Sequence, residues 1–281
     1  MSSPASPAGP LTTRIFEHLL IELPENARLL DAIVGLHWTA VVVEVNGRRQ
    51  CGLASTTIGE HAHGEKQDVR WAGALQVRSI QELANLIWSD SPTERSLGLA
   101  AINACINRKR PDQMEINAGS LLAKKAAGRR AGLIGHFPFI EDIRESAQEL
   151  FVFELNPSPG EHPPERAQDL LPHCHAVGIT SMTLLNRSLA GLMDHINPNA
   201  YVLLIGPSTP LSESLFKFGF DALAGTVVER VPPVLRAISQ GANYRQIHRI
   251  GTHLVTLEAG QLHESGSAPS SPQEPAGNET V

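Results

Sequence analysis

The sequence predicts an α/β protein in which a smaller α+β segment precedes a Rossmann-like parallel sheet covered by helices on both faces. Two observations carry that expectation. From about Arg130 onward, short apolar runs alternate with helical stretches, the pattern of a parallel sheet built from strand, helix, strand units. Before that point the dipeptide Asn46-Gly47 sits between two apolar runs, a strong hairpin signal, and helices rather than further strands follow it.

Residues 1–10 hold three Ser and three Pro without a charge, a composition that buries too little to order itself, so this end is expected to be a disordered tail. An amphipathic segment then runs from Leu11 to Val34, followed by strands over Leu36 to Val45 and Arg49 to Ser55. Ser79 with Glu82, and Ser91 with Pro92 and Glu94, have the Ser-x-x-Glu spacing in which two side chains satisfy each other's free backbone amides, so each predicts a helix start. The second helix should run to about Asn107 with Leu97, Ala101, Ala104 and Cys105 on its packed face.

The apolar runs of the second half are Ala131 to Gly135, Leu150 to Leu155, Ala176 to Thr180, Tyr201 to Gly206 and Ala222 to Val227. Helices are expected near Phe139 to Glu149, Glu165 to Leu171, Met182 to Ile196, Leu211 to Phe218 and Pro232 to Ser239. From Glu264 the chain has four Ser, three Pro and three Glu with no Lys or Arg, a second expected tail. The expected organisation is a tail over 1–10, an α+β domain over 11–118, a Rossmann-like domain over 119–263 and a tail over 264–281.

Composition narrows the function classes. The 281 residues carry 23 Lys+Arg against 29 Asp+Glu, a net charge of -6, and 42% are hydrophobic, which reads as soluble and globular. No apolar run reaches the roughly 18 residues of a membrane helix. Three scattered cysteines do not make a disulfide framework, so the cytoplasm is the expected compartment. The acidic balance argues against a nucleic-acid partner, and Arg108-Lys109-Arg110, Lys124-Lys125 and Arg129-Arg130 are expected to be solvated surface. A homo-oligomer stays open.

In an open parallel sheet, ligands bind beyond the carboxyl ends of the strands, so the residues after each run are the candidates. These are His136 after the first run, Glu154 and Asn156 after the second, Ser181, Thr183 and Asn186 after the third, and Gly206, Ser208 and Thr209 after the fourth. Ser181 and Thr209 look like helix caps, and helix N-termini there would suit a carboxylate or phosphate. Thr39 and Ser55 of the first segment are expected to face this cleft. Glu154 is the only carboxylate inside the strand-end motifs, and hence the candidate acid or base. His61-Ala62-His63, flanked by Glu60 and Glu65, offers two imidazoles to a metal ion, and His173-Cys174-His175 sits at the wrong end of its strand to do so. Gly-x-Gly-x-x-Gly, the Walker loop and Gly-x-Ser-x-Gly are all absent.

Taken together, Gly135-His136-Phe137-Pro138-Phe139-Ile140, Glu154-Leu155-Asn156-Pro157, Thr180 to Asn186 and Gly206-Pro207-Ser208-Thr209-Pro210 resemble the family known as "putative heavy-metal chelation", catalogued as a domain of unknown function. Val34 to Thr39 and Cys51 to Ser55 resemble that family's smaller N-terminal domain, which is similar to the N-terminal domain of enolases. The resemblance implies a pocket between the two domains. One departure is Met182, where the family commonly has a small residue. The implied function is binding of an anionic small molecule or a chelated metal. The alternative is an enzyme acting on a chelator or its precursor, with Glu154 as general acid or base and a transition metal or a nucleotide-like molecule as cofactor.

Overall fold

The computed structural model describes residues 9–59, 68–109 and 117–260. His61 and His63, and nearly all of both expected tails, lie outside the described residues. The first segment begins with helix α1 (Pro10–Ile21) and continues as three antiparallel strands, β1 (Arg28–Val34), β2 (Trp38–Val45) and β3 (Arg48–Ser55). The single amphipathic segment expected over 11–34 is therefore a helix and a strand. Pro24 cannot donate a helical hydrogen bond, and Arg28–Val34 pairs with β2 from Arg28 opposite Glu44 to Val34 opposite Thr39. The hairpin forms at Asn46-Gly47, whose φ values of 52° and 71° are both positive, as the tight turn requires.

Strand β2 is buried on both faces, which explains its unbroken apolar run. Val41, Val43 and Val45 pack with α1 and with α3 (Pro92–Ile106), while Trp38, Ala40 and Val42 pack against Val231, Val234 and Ile238 from the other half of the chain. Helix α3 crosses β3 so closely that a Cβ on Gly52 would lie 2.0 Å from the Ala104 nitrogen. Before α3, the short α2 (Ile80–Ala84) has the expected reciprocal cap, Ser79 and Glu82 each accepting the other's backbone N–H. At Ser91 the expectation holds by half. Its hydroxyl accepts from the Glu94 N–H, but the Glu94 carboxylate turns away to bind Arg70 and Ser89. Cys105 is buried as expected.

Beyond α4 (Ala118–Ala126) the chain runs through β4 (Arg130–Ile134), α5 (Ile140–Ser146), β5 (Glu149–Phe153), α6 (Ala167–Leu170), β6 (Ala176–Thr180), α7 (Met182–Leu185), α8 (Leu189–Met193), β7 (Tyr201–Ile205) and β8 (Ala222–Val228). It ends with α9 (Val231–Ser239), α10 (Tyr244–Gly251) and β9 (Thr252–Glu258). The six strands form one sheet in the order β5-β4-β6-β7-β8-β9, parallel except for β9. All five expected strands are present, and α4, α10 and β9 are additional.

The expected helix over Met182 to Ile196 is two short ones, broken where Arg187 takes φ 63° and the Asn186 carboxamide accepts from the Ser188 N–H. Leu211 to Phe218 is a 3-10 helix from Glu213, capped by Ser212 and ended by Gly219. The basic stretches carry ion pairs: Lys109 with Glu229, Lys125 with Glu258 and Arg130 with Glu149.

Two asparagines of the α3 end join the sheets. Asn103 donates to the carbonyls of Leu53 and Ser208. Asn107 donates to the carbonyls of Thr209 and Thr226 and accepts from the Leu211 N–H. They hold the loop after β7, which forms part of the site.

Candidate functional site

After β4 the chain moves outward to β5, then returns past β4 to β6, so the loops at the carboxyl ends of β4 and β6 leave in opposite directions. That reversal opens a crevice in any sheet of this kind. Here it forms a cavity of about 780 Å³. The β4 end contributes His136, Phe137 and Phe139, and the ends of β6 and β7 contribute Thr180, Ser181 and Gly206. Trp38 and Ser55 of the small sheet close another side, and Asn117, Asn243, Tyr244 and Arg245 complete the wall.

Backbone geometry shapes the floor. Gly206 has φ 138°, and a Cβ there would meet the Ser181 hydroxyl at 2.5 Å, so only glycine lets the β7 end approach β6 this closely. The aromatic groups come in pairs: Trp38 with Tyr244, ring centres 5.5 Å apart, and Phe137 stacked on Phe139 at 5.2 Å. Burial pushes the Tyr244 phenol above its usual pKa, and its hydroxyl is shared with the Thr226 hydroxyl at 3.0 Å.

The polar groups are asymmetric in charge. Arg245 is exposed and forms no ion pair with another described residue. Two helices start at the wall: α4, capped by Asn117, and α10, where Asn243 and Gln246 cap each other reciprocally. Their N-terminal dipole ends add positive potential. His136 Nδ1 lies 3.2 Å from Glu161 Oε1, while Glu161 Oε2 accepts the Ser158 N–H at 2.8 Å. The Ser158 hydrogen bond and the neighbouring His136 hold the Glu161 carboxyl below the usual range.

Of the residues expected at the site, Ser55, His136, Ser181 and Gly206 line this cavity. Ser208 and Thr209 are buried behind it. The Ser208 hydroxyl accepts the Ser55 N–H, and Thr209 Oγ1 has no hydrogen-bond partner. Thr39 is buried against the Thr56 hydroxyl, Thr183 donates to the Thr180 carbonyl, and Asn186 is an exposed cap of its own loop.

Glu154 and Asn156 lie outside the cavity lining. Consecutive strand ends do not all lie side by side here, because β5 is an edge strand separated from β6 by β4. The Glu154 carboxylate accepts the N–H of Leu155. The helix-cap reading of Ser181 and Thr209 is also corrected. Helix α7 has four residues and no side-chain cap, and no helix begins at Thr209. The helices of eight or more residues whose N-termini reach the cavity are α4 and α10, and the shorter α5 and α7 also begin beside it, at Phe139 and Ser181. The α10 start had a legible signal in Asn243-x-x-Gln246, an amide version of the capping box, whereas Trp38, Arg245 and Glu161 carried none beyond residue type.

Among the described residues no three His, Cys, Asp or Glu side chains converge as a metal site. Cys51, Cys105 and Cys174 are all buried, and burial pushes each thiol up to about 12, far from the thiolate a metal needs. No described helix is long and apolar enough to cross a membrane.

Residues 118–255 match one family model and residues 16–106 match another, and both carry the description "Putative heavy-metal chelation". An uncharacterized protein of Methanocaldococcus jannaschii is 29% identical over 228 residues, 78% of this chain and 85% of the relative. Crystal structures of two proteins of unknown function from the DUF364 family share the fold. That from Desulfitobacterium hafniense has a TM-score of 0.71 at 24% identity, covering 88% of this chain and 98% of its own. That from Pyrococcus horikoshii has a TM-score of 0.74 at 21% identity, covering 89% and 100%.

Proposed function

The chain belongs to the family described as "Putative heavy-metal chelation", and from that membership we propose that it binds an anionic, partly aromatic small molecule, able to carry a chelated metal ion, in the cavity between its two sheets. The observation that supports this most is the joint lining of one cavity by Arg245, two helix N-termini and two aromatic pairs. A guanidinium binds carboxylate or phosphate in a fixed planar geometry, and each helix end adds about 0.3 to 1 kcal/mol for a neighbouring anion. Rings at the walls favour a flat ligand through stacking as well as burial.

The donor chemistry supports a metal that arrives already chelated. With no group of three donors among the described residues, most of the coordination sphere falls to the small molecule. An enzymatic role for Glu154 has less support, since its carboxylate serves the neighbouring Leu155 amide outside the cavity.

The test is mass spectrometry and metal analysis of protein purified gently from cells, wild type beside Arg245→Ala. Wild type should retain an anionic small molecule and the variant should lose most of it. Equal retention by both would place the ligand elsewhere.

A further inference from the structure

His136, which lines the cavity, and Glu161 behind it form a pair that an anion-binding role leaves unused. Glu161 is fixed on both oxygens, one by the Ser158 N–H and one by His136 Nδ1, and its side chain is only 11% exposed, while the His136 side chain is 68% exposed and lines the cavity. An ionised carboxylate can only accept, so Nδ1 carries the proton of this hydrogen bond, and the ring's remaining lone pair is on Nε2. A carboxylate behind one imidazole nitrogen is the usual support for an imidazole that binds metal through the other, fixing its tautomer and orientation and raising its basicity.

We infer that His136, oriented by Glu161, is the protein's own donor to the metal ion of a chelate bound in this cavity; the inference rests on the cavity reading above. In this step the metal–water bond at an open coordination position breaks and a metal–Nε2 bond forms, with the metal's oxidation state unchanged. Arg245, on the same wall system, compensates the negative charge of the chelator, so the two residues have separable duties. The substrate class is a planar, anionic chelator that leaves at least one position on the metal open. A chelator that saturated the metal would gain nothing from His136.

A suitable probe is the neutral 1:1 complex of copper(II) with pyridine-2,6-dicarboxylate, in which a flat aromatic dianionic chelator leaves one in-plane position of the metal open, compared with metal-free pyridine-2,6-dicarboxylate. Electron paramagnetic resonance of the copper complex with full-length wild type should show coupling to an added imidazole nitrogen. His136→Ala should abolish that coupling and weaken the copper complex about tenfold or more, with metal-free binding unchanged, and Glu161→Gln should weaken it about tenfold. His175→Ala, at the opposite end of β6, is the control for surface imidazoles and should match wild type. Tight copper-complex binding that is the same in wild type and His136→Ala would overturn the donor role while leaving the cavity reading standing. If wild type binds neither form of the probe, both readings are overturned. If Arg245→Ala weakens the metal-free dianion at least as much as the neutral copper complex while His136→Ala weakens only the copper complex, the division of duties is supported.

Discussion

The backbone N–H of Ser55 donates to the hydroxyl of Ser208 at 2.8 Å, which ties the last residue of β3 to the loop after β7. Behind that contact, Asn103 and Asn107 of the α3 end bind the carbonyls of Leu53, Ser208, Thr209 and Thr226 and the N–H of Leu211. The cavity wall thus owes its shape to a buried polar seam. Its residues are binding-site supports more than ligand contacts, because Ser208 and Asn107 are both buried.

Asn107→Ala should therefore cost about 2 to 4 kcal/mol in urea unfolding, because it strands a buried N–H and leaves two carbonyls short of a donor. Ser208→Ala removes one acceptor and should cost about 1 to 2 kcal/mol. A change below about 0.5 kcal/mol in Asn107→Ala would mean that water replaces the seam without loss.

Gly52→Ala should prevent α3 from packing on β3. A Cβ at 2.0 Å from the Ala104 nitrogen meets helix backbone, which cannot swing aside as a side chain could. The expected cost is about 3 kcal/mol or more, read as a lowered Tm or loss of soluble protein. Gly128→Ala, where a Cβ would meet nothing within 4 Å but φ is 66°, should cost about 1 kcal/mol.

The Arg70–Glu94 ion pair predicts a pH dependence. Burial raises the Glu94 pKa, but hydrogen bonds from Arg70 and Ser89 outweigh it and the net direction is down. A carboxyl lowered on folding adds stability that is present above its unfolded pKa, about 4.3, and is lost as pH falls through the folded value. In Arg70→Ala, Glu94 keeps its burial and loses its main partner, so its pKa should rise and stability should instead fall as pH increases through it. Urea midpoints of both proteins between pH 3 and 7 would show opposite slopes. The same slope in both would mean that Ser89 and the backbone N–H of residue 70 suffice to hold the carboxylate.

All three cysteines should resist alkylation in the native protein at pH 8, since burial both covers each sulfur and pushes its pKa up to about 12. Mass spectrometry after iodoacetamide should find none modified natively and all three in urea. Native labelling of Cys174 would show local opening at the start of β6.

Strand β1 was hidden in the amphipathic segment over 11–34, but β2 to β8 were legible because each is a short apolar run with turn residues behind it, and Asn46-Gly47 announced the β2–β3 hairpin. Strand β9 was not, since Thr252–Glu258 has neither a strict polar–apolar alternation nor an apolar run longer than two residues, and it pairs with β8 alone at the sheet edge. At the site, chain order revealed which residues end strands but not how strands are ordered in space. Hence Ser181 and Gly206 fall on the cavity while Glu154 falls beyond it, on the far side of β4. Arg245 and Glu161 come from segments with no strand-end signal, and only the fold brings them to the same crevice as His136.

The cavity reading is tested most directly by an anomalous difference map, recorded at the copper edge, from crystals of the full-length protein grown with copper(II) pyridine-2,6-dicarboxylate. The expected result is one strong peak inside the cavity bounded by Trp38, Phe137 and Arg245, with chelator density against the rings. Copper peaks confined to surface histidines, with no chelator in that cavity, would contradict it.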